Sequence, residues 1–263
     1  MKNSLVLFLL MIVVTGTFAQ VDTMKNSLDT VPKFYTIDTV PDKPNISNWK
    51  TVAMANRSND HLLIQIGYDK WANQPDSIQT KGFSRSFNVY FMFDFPFKSN
   101  PRFSVGIGAG VSSSNIFFEN TYIDITGKIA NRLSFTNVKD TTHFKKYKLV
   151  TTFLEAPIEL RFVARPMNAG KSFKAAIGGK VGTMLSATTK GKNLLNASNN
   201  VVNSNVTKEK AKRFFNTTRL VGTARLGYGV FSVFGAYQLN SFIKEGFGPD
   251  VRPYTIGITI SGL

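Results

Sequence analysis

The sequence predicts an all-β protein: an eight-stranded antiparallel up-and-down transmembrane β-barrel with long extracellular loops and short periplasmic turns. Three observations predict it. From residue 61 onward apolar side chains recur at every second position, which is the period of a strand and not of a helix. The positions between them hold glycine, serine and charged residues, the filling of a narrow closed lumen. The connections between the runs alternate long and short, as they do when outer loops are long and inner turns short.

Composition narrows the chemistry. The chain has 263 residues, 32 Lys+Arg against 16 Asp+Glu, a formal net charge of +16 and no cysteine. Missing cysteine excludes disulfides, thiolate zinc sites and cysteine nucleophiles. Two histidines, His61 and His143, are a poor basis for a histidine-rich metal site, and no cofactor is expected. An apolar content of 43% with 23 Phe is too rich for a disordered chain.

Residues 1–19 read as a secretory signal peptide, with Lys2 before an apolar run from Leu5 to Val14 and Ala19 as the small residue before cleavage. The protein is therefore expected to be exported to a Gram-negative outer membrane. Residues 20–60 read as an irregular periplasmic extension, polar and interrupted by Pro32, Pro41 and Pro44. Within it Asp22-Thr23-Met24, Asp29-Thr30-Val31 and Asp38-Thr39-Val40 repeat a tripeptide that resembles an O-glycosylation acceptor pattern. Residues 61–263 are the barrel.

The first strand is 62–69. In the second, Phe83, Phe87, Val89, Phe91, Phe93 and Phe95 share a face, with Arg85 as its single charge, opposite Ser84, Ser86, Asn88, Tyr90, Met92 and Asp94. The third sets Phe103, Val105, Ile107, Ala109 and Val111 against Ser104, Gly106, Gly108, Gly110 and Ser112. Glycine at alternate positions would cost a helix about 1 kcal/mol each relative to alanine. The fourth, at 150–162, carries Leu154, Ile158 and Leu160 opposite Phe153, Glu155, Glu159 and Arg161. The fifth, at 173–185, sets Phe173, Ile177, Val181 and Leu185 against Lys174, Gly178, Lys180 and Gly182. The sixth, at 218–228, sets Leu220, Ala224 and Leu226 against Arg219, Thr223 and Arg225. Residues 231–239 form a seventh strand of ambiguous parity. The eighth, at 252–262, sets Ile256, Ile258 and Ile260 against Thr255, Thr259 and Ser261. Roughly ten residues suffice to cross a bilayer at a tilt. The expected connections are 70–82, a turn at 96–101, a long loop 116–148, a turn at 166–170, a long loop 187–215, a tight turn near Gly229 and a loop 240–251.

Aromatic side chains gather near strand ends, at Phe83, Phe95, Phe97, Phe103, Phe117, Phe118, Phe162, Phe173, Tyr228, Phe231 and Tyr254, as in an interfacial girdle. The same alternation would suit a soluble lipocalin-like barrel turned inside out. The charges on the polar face favour the membrane arrangement, because buried charges can be paired inside a filled lumen.

Two groups of residues are expected to matter. Glu155 and Glu159 should meet some of Arg161, Lys180, Arg219 and Arg225 in a lumen charge network. Lys208, Lys210, Lys212 and Arg213, in a basic loop, should contact outer-membrane lipid, specifically lipopolysaccharide phosphates; nucleic acid is not expected as a partner of an exported chain. No catalytic, cofactor-binding or metal residue is assigned. Ser134, His143 and Asp124 or Asp140 share a loop, but a triad is defined by geometry. Gly106, Gly108 and Gly110 precede no helix and cannot cradle phosphate.

The run Phe153-Leu154-Glu155-Ala156-Pro157-Ile158-Glu159-Leu160-Arg161-Phe162 resembles the signature strand of the small outer-membrane β-barrel family of Bacteroidota often described as PorT-like. Residues 247–261 are similar to that family's last loop and closing strand. The resemblance covers about residues 61–263. It implies a non-enzymatic structural or accessory component of the outer membrane, one branch of the family serving type IX secretion and gliding. The alternatives are a narrow solute channel and a lipid-modifying outer-membrane enzyme.

Overall fold

The computed structural model describes residues 61–76 and 78–261; the expected signal peptide, the extension and its tripeptide repeats lie outside the described residues. The strands are β1 (Leu62–Ala72), β2 (Arg85–Pro96), β3 (Phe103–Phe118), β4 (Thr121–Asp124), β5 (Ser134–Asn137), β6 (His143–Val163), β7 (Phe173–Leu195), β8 (Val201–Lys210), β9 (Thr218–Tyr228), β10 (Phe231–Gln238) and β11 (Arg252–Ser261). Eight of them close a ring in the order β6-β3-β2-β1-β11-β10-β9-β7, with β7 returning to β6. Every seam is antiparallel, the first and last strands included. Closure removes every sheet edge from the ring, so its backbone polar groups can all be satisfied inside hydrocarbon.

Side-chain parity turns this ring inside out relative to a soluble barrel. Phe87, Ile107 and Ile258 are 51%, 44% and 58% exposed, whereas Glu155 and Arg225 are 2% and 8% exposed. In water such a continuous apolar wall would drive aggregation; against acyl chains it is the solvated face. Among the described residues no helix is long and apolar enough to cross a membrane.

One seam departs from a regular ladder for a visible reason. Between β3 and β6 the register runs to Ile107↔Ile158 and resumes at Gly110↔Glu155. The gap falls opposite Ala156 and Pro157, and proline has no N–H to give to the neighbouring strand. At the same end as the β1 start, the β6–β7 connection is a short 3-10 turn, Pro166–Lys171. The β9–β10 turn is tighter still, Gly229-Val230, where Gly229 takes φ +61. That arrangement is a two-residue hairpin, and the left-handed position is cheap only for glycine.

At the opposite end the structure corrects the expected loops. The segment 116–148 was expected as one long loop, yet β3 runs to Phe118, β6 starts at His143, and β4 and β5 pair between them. The segment 187–215 likewise holds the upper part of β7, to Leu195, and β8, which pairs with that upper part. Of these, β8 gains pairing in water without gaining a buried face, so no period of two marks it. These extensions enclose an apolar cap, in which Trp71, Phe118, Ile123, Ile125, Tyr147, Phe214, Phe215 and Phe242 are buried together. Phe118 thus belongs to the cap and not to the girdle: it shares inward parity with Ile116 and Ser114. Residues 231–239 also resolve, with Ser232, Phe234 and Gln238 inward and Phe231, Val233 and Tyr237 outward.

Candidate functional site

The lumen is filled in layers, each built from inward positions of several strands. Near the short-turn end, Glu159 of β6 receives Arg161 Nε at 3.1 Å and Arg225 of β9 at 2.9 Å. Arg161 also reaches toward Asp94 of β2, with 3.6 Å between Nη1 and Oδ1, and Ser104 donates to the same carboxylate at 2.6 Å. The Arg161 guanidinium lies flat on β3 at Gly106, where an added Cβ would sit 2.5 Å from Nε. Glycine there makes the space that the ion pair occupies.

In the middle layer Glu155 accepts the Tyr90 hydroxyl at 2.6 Å and faces Arg219 at 3.1 Å and Lys180 at 3.9 Å. Lys180 donates to the Tyr90 hydroxyl at 2.9 Å and lies 4.6 Å from the centre of its ring. Arg219 stacks over Phe153 at 4.9 Å. Gln65 links this layer across to Thr259 at 3.1 Å, and Asn88 accepts from Ser112 at 2.7 Å. Above it Asp69 accepts from Thr255 at 2.6 Å and from Ser114. Four carboxylates, Asp69, Asp94, Glu155 and Glu159, therefore share the interior with Arg161, Lys180, Arg219 and Arg225. A lone buried charge would be strongly disfavoured; a balanced set with shared hydrogen bonds tolerates burial. The cavity bordered by Asp94, Arg161, Lys174, Arg225 and Ser232 has a volume of about 20 Å³, room for about one water.

Glu155, Glu159, Arg161, Lys180, Arg219 and Arg225, selected from alternation, are thus brought into one connected set. Tyr90 and Asp94 join it; both sit on the polar face of β2, and only their register opposite β3 and β6 reveals the role.

The cap supplies a second polar cluster. Asp124, at the end of β4, accepts backbone N–H groups of Thr126 at 3.0 Å, Gly127 at 2.9 Å and Ile129 at 2.6 Å, and the Thr126 hydroxyl at 2.8 Å. Burial alone would raise its pKa; these donors together outweigh it and hold the carboxyl below its ordinary value. Burial, and then the Glu209 carboxylate that the Tyr122 hydroxyl meets at 3.1 Å, push that hydroxyl up to about 12. Lys128 bonds the same Glu209 at 2.8 Å.

The four basic residues expected to contact lipid divide. Lys208 and Lys210 are exposed on β8. Lys212 donates to the Met184 carbonyl at 3.3 Å, and Arg213 bonds Asn131 and packs on Phe214 at 5.3 Å. The loop serine, histidine and acids are not assembled. His143 places one ring nitrogen 3.0 Å from the Thr141 carbonyl and the other 3.2 Å from Asn199 Oδ1, while Ser134 meets Thr136. His61 stacks on Phe91 at the start of β1, at 5.8 Å. Among the described residues no group of three His, Asp or Glu side chains is placed to hold a metal ion.

Comparison with known proteins adds the following. Residues 51–254 match a family described as outer membrane protein beta-barrel domain. Among solved structures, the chain is similar to the crystal structure of Ail, the attachment invasion locus protein of Yersinia pestis, at 16% identity, covering 76% of this chain and 95% of that one with a TM-score of 0.33. A crystal structure of Ail in complex with the heparin analogue sucrose octasulfate is similar at 12% identity, covering 76% and 96% with a TM-score of 0.30. No curated protein matches the sequence.

Proposed function

Because the chain belongs to the outer membrane protein beta-barrel domain family, we propose that it serves the outer membrane as a closed, non-enzymatic barrel, a structural or accessory component and neither a pore nor a catalyst. One observation carries this reading. The lumen is occupied by paired charges and by the buried side chains of Tyr90, Phe153 and Phe234, which stand in the way of a solute. The long-stranded end, with its apolar cap, faces the outside, and the short turns, the start of β1 and the end of β11 face the periplasm. A finer placement rests on the β6 run from Phe153 to Phe162, which resembles the signature strand of Bacteroidota barrels: an accessory part of a type IX secretion or gliding machine.

The first test is electrical. The full chain reconstituted in a planar bilayer should add no current above the bare membrane. Steady unitary currents would make it a channel instead. Lipid A profiles that change when the gene is removed would point to the enzyme alternative. Cross-linking in intact outer membranes should recover envelope proteins of a secretion apparatus if the finer placement holds.

A further inference from the structure

We propose that the outer wall of the barrel carries a docking site for the phosphates of lipid A, assembled from Arg85, Lys148, Lys190 and Lys208. The inference rests on the reading above, that the apolar wall lies in the outer membrane with the long-stranded end outward. Its evidence is the register. Lys148 of β6 pairs with Lys190 of β7, and Lys190 pairs with Lys208 of β8. Directly paired residues in antiparallel strands hold their Cβ atoms about 5 Å apart, so three lysine side chains leave the sheet in one row. The Lys148 ammonium also donates to Asn115 Oδ1 at 2.9 Å. On the other side of Lys148, Phe117 of β3 is its partner. Lys148 lies over the Phe117 ring at 5.3 Å, and Arg85 of β2 shares that ring at 5.6 Å.

All four cations point away from the lumen. Their strand neighbours Tyr147 and Thr189 are buried, and Glu209, next to Lys208, is turned inward to Tyr122 and Lys128. Lys146 and Lys192, a second paired couple, flank the row on the same face, and Lys210 flanks it on the other side. The outward positions next to the row are Ser113, Asn115, Val150, Thr152, Ser186, Thr188 and Val206, none of them acidic. The exposed carboxylate nearest it, Glu119, lies beyond Phe117 and is paired with Lys81 at 3.9 Å. Like charges set directly opposite one another destabilise a sheet. A row of them kept without an intervening carboxylate is arranged for an anion from outside.

The location selects the anion. Arg85 precedes the exposed Phe87 by two residues, and it also lies over Phe83 at 5.7 Å. Aromatic side chains at this boundary mark the headgroup level, where lipid phosphates concentrate. Lys212 and Arg213 lie outside the row, held by Met184 and Asn131.

The test uses the full chain extracted in mild detergent and examined by native mass spectrometry with added lipid A. At roughly fivefold per cation, R85Q/K148Q/K190Q/K208Q should weaken lipid A retention several-hundredfold. K212Q/R213Q should retain it as wild type does, and dephosphorylated lipid A should be held no better by wild type than by the quadruple variant. Equal retention by the quadruple variant, equal retention of dephosphorylated lipid, or displacement by inorganic phosphate would each overturn the proposal. Should the quadruple variant fail to assemble, K190Q alone should lose about fivefold. Wild-type protein that does not fractionate with the outer membrane would overturn the membrane reading, and this inference with it; normal fractionation without phosphate-dependent retention would overturn this inference alone.

Discussion

Glu155 is held from three sides: the Tyr90 hydroxyl at 2.6 Å, Arg219 at 3.1 Å and Lys180 at 3.9 Å. Replacing an ion pair by apolar groups can be neutral, but removing one partner strands the others in a low-dielectric interior. Glu155→Ala should therefore destabilise the folded barrel by about 3–5 kcal/mol, read from the urea midpoint of its heat-shifted gel band. Tyr90→Phe removes the hydrogen bonds to Glu155 and from Lys180 but keeps the ring under Lys180, so it should cost about 1–3 kcal/mol. An Ala variant as stable as wild type would mean that water enters and solvates Arg219. Asp124 makes a different prediction. Its folded pKa lies below the ordinary 3.8, so its contribution is present above that value and fades as pH falls through the folded pKa. Ile123 and Ile125 tie its turn to the cap that also holds Trp71. In a Trp49→Phe background, Trp71 emission should stay blue-shifted until the pH is below 3.8 and then move red. Asp124→Ala should begin red-shifted at neutral pH. A wild-type transition centred well above pH 4 would assign the change to another group.

At the scale of elements, β3 and β6 show how a strand is shaped by the charge it must accommodate. The Arg161 guanidinium occupies the space over Gly106, and an alanine there would place its Cβ 2.5 Å from Nε. Gly106→Ala should cost about 1–3 kcal/mol, as overpacking does. Gly235→Ala, with nothing within 4 Å of the added carbon, should stay near neutral. Since the penalty at Gly106 is a collision with Arg161, it should largely vanish in an Arg161→Ala background; additive losses would refute the steric account. The eight ring strands were legible because each has one face in lipid and one in a polar lumen, which writes a period of two into Phe87 to Phe95 or Tyr254 to Ile260. Only β10 resisted, since Phe234 faces inward among outward Phe231 and Val233. β8 left no signal, as its residues are exposed on both faces save for Glu209. Within the lumen, parity tells which charges face inward. Their pairing depends on the relative register of β6, β7 and β9, which juxtaposes Glu159 with Arg225 through Gly178 and Thr223 and which no single strand encodes.

For the whole molecule, the two ends differ in kind, and the difference bears on orientation. One end is made of the Pro166–Lys171 turn, the Gly229-Val230 hairpin and the turn between Pro96 and Phe103. The other carries the β4–β5 pair, the upper halves of β6 and β7, β8 and an apolar cap. A barrel inserted from the periplasm must draw one end through the hydrocarbon, yet in outer-membrane barrels the long loops are the ones that cross and the turns stay behind. In the proposed orientation the cationic row of Lys148, Lys190 and Lys208, set side by side by the register, meets the outer leaflet, and the short turns meet the periplasm. An epitope inserted between Asn199 and Asn200, at the tip joining β7 to β8, should be stained by antibody on intact cells. The barrel should still fold, because β8 adds to β7 outside the closed ring. The same epitope placed between Ser99 and Asn100, in the β2–β3 turn, should be stained only after the outer membrane is permeabilised. The reverse pattern would turn the barrel over, and with it the leaflet in which a lipid phosphate could reach Lys190.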